Sequence, residues 1–254
     1  MIADYKKIND ISGDPQIYKG LKLYPIMLKD KKYLDLYYKI FHYPQHTAKS
    51  KKILHLSYLK FFLFSGLSTK PKEDVEDFLK YLTKQDVEIQ YHVAKKVIED
   101  INDINFINIH IGDVTIDESE FNDIREIVLK QNGLSIEYIN QYDADLEDRL
   151  RSTFSDSDID FYDEIWILAS LMDINPREIL ENYTFYQFNE MLNRKIMLKQ
   201  FDMLKPLEVS GQIEFKNGDK IKSYLSHYGD KGRYDAIFIS PDKFFNKLQE
   251  DLSK

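Results

Sequence analysis

The stretch INFINIHIGDVTIDESEFNDIREIVLKQNGL, Ile104–Leu134, carries two periodicities in succession. Its first half alternates apolar and polar residues through Ile107, Ile109 and Ile111, turns at Gly112–Asp113, and resumes at Val114 and Ile116. A period of two places those residues on one face of paired strands, so the segment reads as a small hairpin. Its second half repeats Phe121, Ile124, Ile127 and Val128 at the spacing of an amphipathic helix, and Asn132–Gly133 supplies the stop. This ββα unit is the one substantial β-containing segment that the pattern shows.

Working toward the N-terminus, helical spacing dominates. The stretch LKLYPIM (Leu21–Met27) alternates like a short strand, and Pro25 confines it to an edge or an end. In KDKKYLDLYYKIFHY, Leu34, Tyr37, Tyr38 and Phe41 share a helical face, and Pro44 ends the run. Ser50–Leu67 reads as a second helix, with Ile53, Leu56, Leu59, Phe61, Phe62 and Phe64 covering most of its circumference. A helix apolar on nearly all sides is central in a core or covered by a partner. A third helix is expected after Ser68–Pro71, with acidic residues near its start as the helix dipole favours.

Toward the C-terminus the pattern is again helical. The run SDSDIDFYDEIWILASLMDI contains the single tryptophan, Trp166. Asn175, Pro176 and Glu178 have the order of an N-cap, a first-turn proline and a capping-box acid. Tyr183–Lys205 is the longest helical pattern and Pro206 interrupts it. In LEVSGQIEFKNG (207–218), Val209, Ile213 and Phe215 are the apolar points, Gly211 lets the helical segment end and a short second β element begin near Ile213, and Asn217–Gly218 is a turn. A helix-like run follows Pro241. The expected fold is mostly α with a small β component (α+β): a multi-helix domain with a central ββα insertion. The chain divides into 1–100, an N-terminal strand with aromatic helices; 101–140, the ββα insertion; and 141–254, a helical part with a short β hairpin. These parts can equally form one compact unit.

Composition narrows the function classes. Among 254 residues there are 18 Tyr and 16 Phe, enough apolar area for a sizeable core. There is no cysteine, so disulfides and thiolate metal sites are excluded. The net charge is −8, against the basic surface expected of a phosphate-backbone binder, so nucleic acid is not the expected partner. The local cluster Lys49, Lys51 and Lys52 reads as a solvated helix start. No apolar run approaches the ~18 residues that span a bilayer, and no signal-peptide h-region follows the N-terminus. A cytoplasmic protein without a membrane partner is expected.

Candidate chemical sites are few. Asp156, Asp158 and Asp160 alternate, with Asp163 and Glu164 beyond, as the oxygen ligands of a hard cation do. A calcium loop starting at Asp156 needs glycine and glutamate where Phe161 and Ile167 stand. The same acids suit the N-cap and first turn of a helix. Neither GLSTKPK nor GDKGRYD has the spacing that cradles a phosphate, and Ser210–Gly211 lies in no nucleophile elbow. His42 and His46 are separated by Pro44, which breaks the helix that would align them as ligands. No cofactor, metal or catalytic set is expected. The aromatic stripes, chiefly Tyr24, Tyr37, Tyr38, Phe41, Phe61, Phe62 and Phe64, are candidates for core or for a protein-binding groove, since aromatics anchor both.

Three stretches, in order, resemble a family of tailed-phage proteins described as tail-assembly chaperones or baseplate-hub assembly proteins. They are LKLYPIMLKDKKYLDLYYKIF, GDVTIDESEFNDIREIVLKQNGL and NYTFYQFNEMLNRKIMLKQFDMLKPLEVSGQIEFKNGDKIKSYLS. In the family a strand precedes an aromatic helix, a hairpin leads into an IREI…QN helix, and a long helix ends in an SG step before a short strand. Tyr224–Leu225 stands where the family has a His–Trp pair. The resemblance implies a non-enzymatic protein of the infected bacterial cytoplasm that binds unassembled tail, tape-measure or baseplate components. A structural baseplate or tail subunit of the virion is the alternative. A metal-dependent hydrolase using Asp156, Asp158, Asp160 and Glu164 is a third reading, independent of the resemblance.

Overall fold

The computed structural model describes residues 11–48, 54–93, 104–147 and 160–210. In chain order, β1 (Gln16–Tyr18) and β2 (Leu21–Leu23) form a tight hairpin. Lys19 and Gly20 at its tip both have positive φ, 49° and 84°, as the turn that matches strand twist requires. Helix α1 (Lys31–Phe41) follows, then a 3₁₀ turn (Gln45–Thr47), α2 (Tyr58–Phe64) and α3 (Pro71–Thr83). Strands β3 (Val87–Val93), β4 (Ile104–Ile111) and β5 (Val114–Ile116) lead into α4 (Glu118–Gln131) and the short α5 (Ile136–Asn140). The last described elements are α6 (Phe161–Met172), α7 (Pro176–Asn182) and α8 (Phe185–Val209). The fold is α+β, as the periodicities predict.

The three strands β3, β4 and β5 form one antiparallel sheet in sequence order. Ile89 pairs with Ile109 and Ile109 with Ile116, so the three lie side by side on the buried face. The other face carries Glu88, Gln90, Asn108 and His110, the inside-out alternation of a sheet with one solvated side. The reading of the hairpin thus holds, and the structure adds β3 ahead of it. That strand belongs to the segment before residue 100, so the sheet joins the N-terminal part to the ββα unit. Asp117 caps α4: its Oδ1 accepts from the Ser119 and Glu120 N–H groups, and Glu120 accepts from the Asp117 N–H in return.

Aromatic rings hold the helices together. Phe41 of α1 meets Phe78 of α3 at 5.3 Å and Phe121 of α4 at 5.8 Å, both edge to face. Tyr81 of α3 donates to Asp30 and accepts from the Met27 N–H, which fixes the entry to α1. One charge lies in this core: Arg125 of α4 is 4% exposed and donates through both Nε and Nη2 to the Phe41 carbonyl.

The C-terminal helices are fastened to the N-terminal segment by backbone. The Leu28 N–H donates to Tyr183 O at 3.1 Å, and the Phe185 N–H to Ile26 O at 2.8 Å. These bonds make a β-bridge between Met27 and Thr184 just where α8 begins. Thr184 and Gln187 then cap that helix reciprocally.

Two expectations change. Ser50–Leu67 is not one helix: Ser57 is extended (φ −56°, ψ 152°) and its side chain caps a new helix from Tyr58. Pro206 does not end the long helix, which runs to Val209, close to the end expected at Gly211. Proline at that position removes one donor, but the ladder resumes with the Ser210 N–H on Pro206 O at 3.0 Å. The proposed β element around Ile213, the run after Pro241, and Lys49, Lys51, Lys52, Asp156 and Asp158 lie outside the described residues.

Candidate interaction surface

The aromatic candidates divide sharply. Tyr37, Phe41, Phe61 and Phe62 are fully buried, so they build the core and present no groove. This corrects their candidacy as binding residues: the ring contacts that stabilise α1–α4 leave them no free face. Tyr24 is partly buried, its N–H bonded to Leu82 O. Only Tyr38 (44%) and Phe64 (37%) of the seven stand exposed.

Further exposed apolar side chains are Ile11, Ile17 and Phe106, and a group of them on α6 and α8. Helix α6 buries Ile165, Leu168 and Ala169, and Phe161 packs edge to face on Phe188 of α8 at 5.9 Å. Tyr162 and Trp166, four residues apart, share a face that flanks the buried one. Trp166 is 63% exposed. The signal for this was present in the sequence: α6 is apolar on both faces, the pattern that demands either a core on all sides or a covering partner. The same pattern at α2 meant burial, and here it does not.

Helix α8 changes character along its length. Phe185, Phe188 and Leu192 are buried, and Leu192 is the last buried residue the helix contributes. The remaining residues to Val209 extend about 25 Å at 1.5 Å per residue. Along them Ile196, Met203 and Val209 are exposed.

The acidic start of α6 is a cap. Asp160 accepts from the Tyr162 and Asp163 N–H groups, and Asp163 accepts from the Asp160 N–H. Burial pushes the Glu164 carboxyl above its ordinary value, with the Asp160 charge adding to it. The Tyr38 hydroxyl is raised by burial and, to a smaller extent, by the Glu164 charge. Among the described residues no group of three His, Asp or Glu side chains is placed to hold a metal ion. No described helix is long and apolar enough to cross a membrane.

Residues 151–229 match the family model of the YomV second domain. That is a phage-derived domain family, and this stretch, under half of the chain, is similar to it. Of the described residues, the match takes in α6, α7 and α8. No curated protein and no solved structure matches the chain. Tyr162, Trp166, Ile167, Ile196, Met203 and Val209 are exposed within the matched stretch, while Ile11, Ile17, Tyr38, Phe64 and Phe106 are exposed outside it.

Proposed function

We propose that this chain is a non-enzymatic bacteriophage tail morphogenesis protein that binds unassembled tail, tape-measure or baseplate components in the infected bacterial cytoplasm. The observation that carries the reading is the exposed apolar face of α6 and distal α8, within the stretch that matches a phage-derived domain. Large aromatics such as Trp166 are favoured interface anchors. A partner helix with an apolar stripe covers such a face. Release then requires only that the partner bind its final neighbours more tightly than this chain. Metal, nucleotide and nucleophile are unnecessary to that work.

Affinity purification of the tagged chain from infected cells tests the proposal. A tape-measure, tube or baseplate protein is expected in the eluate, and recovery of no phage structural protein refutes the role. Mass spectrometry of purified virions separates a transient factor, which is absent, from a retained tail subunit, which is present.

A further inference from the structure

Arg125 is a buried cation with no carboxylate. Two of its N–H groups converge on one acceptor, the Phe41 carbonyl, at 3.1 and 2.8 Å. Its guanidinium carbon lies 3.5 Å from the centroid of the Tyr58 ring. Burial lowers its pKa, yet a guanidinium stays charged in proteins. Among the described residues no Asp or Glu forms an ion pair with it; the nearby acid on α4, Glu118, is engaged by Lys60, Ser57 and the Ile107 N–H. A charge taken out of water without a counter-ion costs several kcal/mol.

The same side chain lines a cleft of about 300 Å³, together with Gln45, Tyr58, Asn122, Ile136 and Asn140. Asn122 Oδ1 is buried there and receives no hydrogen bond from the described residues. The cleft is therefore lined by a cation that meets no carboxylate among the described residues, only the Phe41 carbonyl and the Tyr58 side chain, and by an amide whose buried Oδ1 has no hydrogen-bond partner among them. The planar fork of arginine matches a carboxylate in geometry and charge. The volume is small for a ligand site and suits the tip of a chain more than a folded surface.

We propose that this cleft binds a peptide carboxylate flanked by an amide N–H, the oxygens on the N–H groups of Arg125 that Phe41 leaves, the amide on Asn122 Oδ1. A chain's C-terminal carboxylate and an Asp side chain share this chemistry. Titration of the full chain, followed by NMR of the Arg125 Nε–H and the Asn122 amide, distinguishes them. N-acetylglycine stands for the first source, N-acetyl-aspartic acid α-amide for the second, and neutral N-acetylglycinamide is the control. At least one carboxylate is expected to bind about tenfold or more tighter than the neutral amide, and the tighter of the two names the source. Asn122→Asp supplies a carboxylate beside Arg125 from the same helix; that variant is expected to stay folded and to lose the carboxylate by about tenfold or more. Equal binding of charged and neutral probes, no shift at millimolar carboxylate, or undiminished binding by the folded variant overturns the proposal. The probes are small molecules, so this outcome is separate from that of the assembly role.

Discussion

Phe41 and Trp166 stand on helices of 11 and 12 residues and meet opposite surroundings. Phe41 is fully buried between α3 and α4, whereas Trp166 is 63% exposed. The contrast extends to their regions. In α1–α4 most aromatic residues are buried, many of them ring against ring, while Tyr38 and Phe64 stand exposed. In α6–α8 every buried apolar residue lies between Ile165 and Leu192, and the rest of α8 contributes none. Aromatic density along a chain therefore does not say which face is free. That is settled by which neighbours the fold brings to each helix: α1 packs on α3 and meets α4 and α8 through the Phe41 and Tyr37 rings, while α6 packs on α7 and α8.

The largest expected effect tests the buried side of this contrast. Phe41→Ala empties a fully packed ring site and is expected to cost ~3–5 kcal/mol, read from urea denaturation midpoints. A loss below ~1 kcal/mol would mean that the aromatic cluster is not the core it looks to be. Next is alkaline stability. Burial pushes the Tyr58 hydroxyl up to about 12 from an ordinary 10, chiefly by desolvation. A folded pKa above the unfolded one stabilises the fold fully below pH 10 and is lost as pH rises toward 12. The share from Tyr58 is about 2–3 kcal/mol at ~1.4 kcal/mol per pKa unit. Stability curves from pH 9 to 12 should fall accordingly, and Tyr58→Phe should flatten that fall. At neutral pH the same variant costs ~1 kcal/mol for the lost bonds to the Ile40 and Tyr43 carbonyls.

Two smaller effects address the open side. Pro206→Ala restores a helix donor in distal α8. It is expected to slow amide exchange over the last turns by about 1 kcal/mol of local opening, without moving the global midpoint, because that segment buries no residue. A matching global shift would show that distal α8 is integral to the core. Trp166→Ala is expected to change stability by less than ~1 kcal/mol, as for an exposed surface position.

Particular residues show why some elements were legible. The β4–β5 hairpin announces itself because the isoleucines alternate without error and Gly112 supplies the left-handed turn (φ 53°). Asp117 and Glu120 mark the start of α4 for the same local reasons. Strand β3 escapes because α3 ends on Lys84 in a left-handed conformation (φ 58°), where glycine would have signalled the stop. The break before Tyr58 is equally quiet, since Ser57 alone punctuates an apolar run. The candidate surface was half legible. The all-round apolar character of α2 and α6 is visible in the residues, but the packing that buries one and bares the other is tertiary.

The central claim is that partner binding resides on α6 and distal α8 while α1–α4 serve as frame. Paired affinity purifications from infected cells test it most directly, using Trp166→Glu with Met203→Glu on one side and Tyr38→Glu with Phe64→Glu on the other. Thermal melts first establish that each protein is folded. The account predicts that the first pair loses the phage partner that the unmodified chain retains, and that the second pair keeps it. Retention by the first pair, with loss by the second, would contradict it.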